Sequence, residues 1–251
     1  MQSRCGWCWP KKNLSWEGEI LNLQQGDQHK PEYLKLNPNG VIPTLVHYDN
    51  VIVESSIILG YLDEAFPDPP LMPVDPVLRA RARHWMKRVD DTLHAAIGVV
   101  TFATANRRVL IRKSPAELAA HFDRIPDPAY RERQRQSVEM GLAASMVEPA
   151  IRQYHKAVAQ MEADLDETEF LAGDAWSLAD AALTPYIHRS EMPGLEGLWD
   201  NRPNVARWYE AMKARPTYGP CITDVLTEAD HDRFDIPRDE TDAKLKEILV
   251  A

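Results

Sequence analysis

The sequence is short of several things, and each shortage removes a class of function. Cysteine occurs three times in 251 residues. That small, odd number argues against a disulfide framework and fits a reducing compartment. No run of about 18 apolar residues occurs, so a membrane-spanning helix is not expected. The first residues hold no apolar signal core, so secretion is not expected either. Positive charge is also in deficit. Lys and Arg number 29 against 38 Asp and Glu, for a net charge of −9. Nucleic acid demands a basic surface, so it is not an expected partner. Internal repeats and low-complexity tracts are missing. The expectation is a cytoplasmic globular protein, in which the Asn13-Leu14-Ser15 sequon has no use.

What is present divides into two unlike parts. "LSWEGEILNL" (Leu14–Leu23) alternates enough to predict a strand. "HKPEYLKLNPNG" predicts a short helical turn closed at Pro38–Gly40. "PTLVHYDNVIVE" predicts a hairpin, with strands at Thr44–His47 and Val51–Val53 and a turn at Asp49-Asn50. "SSIILGYLDEAF" (Ser55–Phe66) has apolar residues at helical spacing. "PDPPLMPVDP" then carries five prolines in ten residues and predicts a linker. Everything beyond it predicts helix: Val77 to about Ala105, Arg131 to about Asp166, a helix opened by a Ser177/Asp180 capping box, and Asn204–Arg215. The charged tail after Leu226 is expected to be peripheral. The predicted division is a small mixed domain over 1–70, a linker at 71–76, an all-helical domain over 77–226 and a tail at 227–251.

The densest chemistry lies around "GVIPTL" and "VESSIILGYL". A proline before a strand, with Ile42 held extended ahead of it, is a place for a cis bond that exposes backbone amide and carbonyl. About ten residues on, Glu54-Ser55 opens a helix, whose free N–H groups suit a carboxylate. The Glu54 side chain suits an ammonium. Together they would hold an amino-acid-like zwitterion beside an extended peptide edge. Taken singly, each is also an ordinary turn or an ordinary cap. Ser177 and Asp180 read as helix capping rather than chemistry. Trp85, Trp176, Trp199 and Trp208 read mainly as packing residues.

The stretch "HKPEYLKLNPNGVIPTL…VIVESSIILGYLDEAFP" closely resembles the glutathione-binding half of cytosolic glutathione transferases. "FLAGDAWSLADAAL" and "RPNVARWYEAMKARP" resemble their helical half. The resemblance covers roughly residues 13–220. It implies a thioredoxin-like α/β N-terminal domain, an all-α C-terminal bundle, a homodimer, and glutathione as cosubstrate for attack on a small hydrophobic electrophile, as in detoxification. It also implies that the backbone of Ile42, before Pro43, pairs with the cysteinyl part of glutathione, and that Glu54 and Ser55 hold the γ-glutamyl group. His29 is implied for the glycyl carboxylate, with a solvated loop residue as the alternative. His84 and Trp85, on the first long helix, are implied for the acceptor pocket. "FDRIPDPAYRERQRQ" resembles the insert of glutathione-dependent β-etherases. A non-catalytic binding module of the same fold is the rival reading.

Cys5 and Cys8 form a Cys-x-x-Cys in "SRCGWCWPKK". A redox pair of that kind normally follows a first strand and caps a helix. Cys5 has no room for the strand, and Gly6 and Pro10 oppose the helix. No metal is expected: two cysteines cannot complete a zinc site, and no His-x-x-His stands nearby. With GC-rich codons over Cys5–Pro10 and AAA for both lysines, regrouping by one base encodes Val-Arg-Leu-Val-Leu-Ala-Glu-Lys. That is an amphipathic helix of the family's kind, and it rejoins the chain at Asn13. A double frameshift is the favoured explanation, ahead of an unusual genuine helix and of a redox or metal site. On the same resemblance the first strand is missing, and the catalytic Ser, Cys or Tyr would lie upstream. Ser3 is the remaining hydroxyl candidate.

Overall fold

The computed structural model describes residue 12 and residues 14–23, 26–125 and 127–250. Ser3, Cys5 and Cys8 lie outside the described residues. Among those described, helix dominates and the strands are two. Helix α1 (Pro31–Leu36) precedes strand β1 (Thr44–His47), which pairs antiparallel with β2 (Asn50–Val53). Helix α2 (Ser55–Ala65) follows at once.

Beyond the prolines, one long helical rod is built from α3 (Pro76–Arg88), α4 (His94–Thr101) and α5 (Arg107–Leu110). Wide π-type turns at Val89–Leu93 and Phe102–Asn106 join them without a break in the helix. Then come α6 (Pro115–Asp123), α7 (Pro128–Met140), α8 (Val147–Glu167), α9 (Leu178–Glu191), α10 (Pro203–Lys213), α11 (Glu228–Phe234) and α12 (Arg238–Val250).

The starts of these helices are written locally. Asp75-Pro76, Ser114-Pro115 and Asp127-Pro128 each set a capping side chain before a proline in the first helical position. The proline gives up an N–H that had no partner there, and the cap satisfies others. Ser177 caps α9 in a full capping box with Asp180. Asp180 reaches further. It is wholly buried and also accepts from Leu171 N–H at 3.1 Å and Trp208 Nε1 at 2.8 Å. One carboxylate thereby ties α9, α10 and the turn after α8 together.

The core lies in the helical part. Helix α8 buries Val147, Ile151, Tyr154, Val158, Met161 and Leu165 at helical spacing and packs on α4 and α10. Ile58, Leu59 and Leu62 of α2 join the same core. A second, smaller cluster of Leu110, Phe122 and Val138 sits under the α6–α7 excursion. Among the described residues, no helix is long and apolar enough to cross a membrane.

Several expectations need correction. Leu14–Leu23 is not a strand but irregular chain, with Ile20 78% exposed. Its alternation is too weak to bury one face, and no described strand pairs with it. The hairpin turn is Tyr48-Asp49, one residue earlier than expected, because Asn50 pairs with His47. The helix predicted over Arg131–Asp166 is two helices. Gly141 adopts φ 58° between them, in the left-handed region that favours glycine. A helix was also missed at Pro115–Asp123. The tail is not peripheral, since Leu245 (3% exposed) and Ile248 (1% exposed) of α12 belong to the main core.

Candidate functional site

The corner begins with Pro38-Asn39-Gly40. The Asn37 side chain is buried, donates to the Val41 carbonyl at 2.7 Å and accepts from Asn39 N–H at 3.1 Å. The Tyr33 hydroxyl also donates to Val41 O at 2.7 Å and lies 2.8 Å from Thr44 Oγ1. These bonds fix residues 37–44 as a loop of one shape. Gly40 takes φ 61° and lies so close to His29 that a Cβ would come within 2.7 Å of Nδ1. His29 is thus carried to the loop that leads into Ile42. Neighbouring Lys30 is held instead by Asp27, at 2.7 Å. That bond raises the Lys30 ammonium above its ordinary value and lowers the Asp27 carboxyl.

The Ile42–Pro43 bond is cis, and both residues are half-buried. The strand register then brings the two halves of the corner together. Thr44 lies opposite Val53, so Pro43 and Glu54 leave the ladder side by side. Glu54 has φ 67°, an uncommon conformation for a residue with a side chain. Its backbone carbonyl accepts from Ile58 N–H at 2.8 Å, while its side chain makes no cap hydrogen bond. No described residue pairs with its exposed carboxylate. Ser55 follows as the first residue of α2, buried at 7% exposure. Left-handed backbone on a non-glycine residue is held only where the surroundings impose it, and such residues gather at functional sites. The result is a carboxylate turned to solvent, the amino end of an eleven-residue helix and an extended peptide edge at one corner.

The other predicted positions fare differently. His84 is exposed. Trp85 is wholly buried, donates from Nε1 to Asp164 at 2.9 Å and carries Arg88 above its ring at 5.4 Å. Trp85 is therefore a packing residue of the helical core and does not share a surface with His84. The sequence reasoning also missed Lys12. Its buried ammonium pairs with Asp63 at 2.9 Å and donates to the Phe66 and Pro69 carbonyls. Asp63 in turn accepts from the Leu71 and Met72 amides at 2.7 and 3.1 Å. This cluster fastens the end of α2 to the proline-rich connection. Nothing local in the sequence announces it, because Lys12 lies more than fifty positions from the other members.

Residues 3–70 match the family model for the glutathione S-transferase N-terminal domain, and residues 128–211 match the one for the C-terminal domain. The chain belongs to the glutathione S-transferase family. The two matches span well over half of it, and its fold is that of the family: a short sheet of two antiparallel strands among the described residues, then helices. Protein LigF of Sphingobium sp. strain SYK-6 is 28% identical over 213 residues, 82% of each chain. The crystal structure of the beta-etherase LigF superimposes with a TM-score of 0.74 at 25% identity, over 87% of this chain and 92% of LigF. Glutathione S-transferase GstB of Escherichia coli K12 is 26% identical over 207 residues, 81% of this chain and 83% of GstB. A 90-residue stretch is 51% identical to a stringent starvation protein A homolog of Haemophilus ducreyi, covering 36% of this chain and 41% of that one. The family is one of transferases, with glutathione as its cosubstrate.

Proposed function

We propose that this transferase binds glutathione at the Ile42–Pro43/Glu54–Ser55 corner and directs its thiolate at an apolar electrophile. In this reading Glu54 takes the γ-glutamyl ammonium and the α2 amino terminus with Ser55 takes the adjoining carboxylate. The backbone of Ile42 pairs with the cysteinyl unit, and His29 reaches the glycyl carboxylate. The thiol gives up its proton, the sulfur forms a bond to carbon, and the leaving group departs with its electron pair. The observation that carries the reading is Glu54. Its backbone is left-handed, and its carboxylate is exposed, unused in capping and beside Pro43.

The similarity to LigF favours ether cleavage within this class, where the leaving group is an alkoxide or phenoxide that takes up a proton. The reading further includes a homodimer, a cytoplasmic location and a detoxifying role. It divides the chain into a glutathione-binding unit over 1–70 and a helical unit over 77–226. Retention on glutathione resin together with conjugation of chlorodinitrobenzene tests it. Retention with turnover is the expected result. Retention without turnover of this substrate or of an aryl ether would leave a binding module in place of an enzyme. Failure of both would reject the reading.

A further inference from the structure

One hydroxyl group holds the chain on both sides of Ile42, whose backbone the reading above gives to the cysteinyl unit. Tyr33 stands half-buried in α1. Its hydroxyl donates to the Val41 carbonyl at 2.7 Å and lies 2.8 Å from Thr44 Oγ1. A phenol has one proton to give. The Val41 carbonyl takes it, so the Thr44 hydroxyl donates its own proton to the Tyr33 oxygen. The two bonds close a bridge over Ile42–Pro43, from the residue before the pair to the residue after it. Among the described residues, none pairs with the backbone N–H or carbonyl of Ile42. That peptide edge is left for a ligand, and its placement depends on the bonds that flank it.

Asn37 does not duplicate the bridge. Its side-chain amide donates to the same Val41 carbonyl at 2.7 Å but stands 3.4 Å from Thr44 Oγ1. Asn37 shapes the turn over residues 37–41, and Tyr33 ties that turn to the sheet. The Tyr33 carbonyl in turn accepts from Asn37 N–H at 2.9 Å, which anchors its own backbone to the same turn. Thr44 is the first residue of β1 and lies opposite Val53, the last residue of β2. Glu54 comes next in the chain. A continuous path therefore runs from Tyr33 through Thr44 and Val53 to Glu54, with Ile42 beside its start.

We infer that Tyr33 is a positioning residue for glutathione: its hydroxyl sets the spacing between the Ile42 backbone and the Glu54 carboxylate. The inference rests on the assignment of glutathione to this corner. A ligand gripped at two points binds more tightly when the points already stand at the right separation, because ordering them on binding costs affinity. Phenylalanine at position 33 fills the same space in α1 but takes away the acceptor of the Thr44 hydroxyl. The 37–41 turn keeps its Asn37 bond, and β1 becomes free to shift against it. Tyr33 touches no reacting atom; its effect passes through Val41 and Thr44.

Calorimetric titration with glutathione tests this on the native chain, Tyr33→Phe, Thr44→Val and the double variant. Each single variant should bind glutathione at least about fivefold more weakly. The double variant should lose no more than about twofold beyond either single one, because the two residues form one bridge. In conjugation of chlorodinitrobenzene, the KM for glutathione should rise in step while the KM for the acceptor stays unchanged. A side chain that only packs α1 would lower the unfolding midpoint of Tyr33→Phe without that split, and Thr44→Val would not reproduce its effect. Thr44→Val decides if Tyr33→Phe fails to fold. Native glutathione affinity in either folded single variant, additive losses in the double variant, or equal rises in the two KM values would each overturn the inference alone, provided that Glu54→Ala weakens binding. No glutathione binding by the native chain would overturn the reading of the corner and this inference with it.

Discussion

Replacing Asp180 by Ala should cost more stability than any other single truncation of a polar side chain in the helical core. The carboxylate accepts four hydrogen bonds: Ser177 N–H at 2.9 Å, Ser177 Oγ at 3.0 Å, Leu171 N–H at 3.1 Å and Trp208 Nε1 at 2.8 Å. Alanine leaves three buried N–H groups without acceptors, while the hydroxyl can turn elsewhere. An unpaired buried donor costs about 1–3 kcal/mol. Some of that is recovered, because burial alone pushes the Asp180 carboxyl above its ordinary value, against the four hydrogen bonds. Removing the side chain removes that desolvation penalty. The net expectation is about 3–5 kcal/mol, a large share of a typical total of about 5–15 kcal/mol. Asp180→Asn keeps the shape and drops the charge, but turns a donor toward donors, so about 1–3 kcal/mol is expected. Urea unfolding followed by circular dichroism measures both. A loss under about 1 kcal/mol for alanine, with unchanged urea dependence, would refute the reasoning.

Three further outcomes follow from single contacts. Arg202 Nη2 lies 2.8 Å from His155 Nε2, so that nitrogen must be an unprotonated acceptor. Burial, Arg202 and Arg152 hold His155 below its ordinary value of 6.5 in the fold. The unfolded chain therefore binds the proton more readily, and stability should fall as pH drops through about 6.5. His155→Gln should flatten that part of a melting-temperature profile, and an unchanged profile would contradict the assignment. Leu245→Ala should cost about 2–3 kcal/mol in urea unfolding if α12 is part of the core, and under about 0.5 kcal/mol if the tail is peripheral. Gly141→Ala places a Cβ near Arg107 in a left-handed backbone and should cost about 1–2 kcal/mol. Neutrality there would mean that the α7–α8 break does not depend on glycine.

What the sequence showed was what is local. The capping box at Ser177 and Asp180 is a three-residue spacing, and it is where it was expected. The hairpin and α2 were legible from alternation and then from helical spacing, to within one residue of the turn. The bonds that Asp180 makes to Leu171 and Trp208 were not legible, because they join elements that meet only after folding. Lys12 with Asp63 is the same case. The single long helix expected over 131–166 failed for another reason: apolar periodicity continues across residues 141–146, and only the glycine marks the break. Leu245 and Ile248 were hidden in a tail of charge, where two apolar residues three apart suffice to dock one helical face. At the candidate site, the residue types and the order of Ile42, Pro43, Glu54 and Ser55 were visible. The register that sets Pro43 beside Glu54 came only from the strand pairing.

The most direct test is glutathione binding by calorimetry to the native chain and to Glu54→Ala. The corner predicts that glutathione binds the native chain, and that the variant loses about 1.5–3 kcal/mol of affinity, roughly ten- to a hundredfold, with an unchanged circular dichroism spectrum. Equal affinity of the two would contradict the assignment of Glu54 to the γ-glutamyl ammonium, and with it the placement of glutathione at this corner.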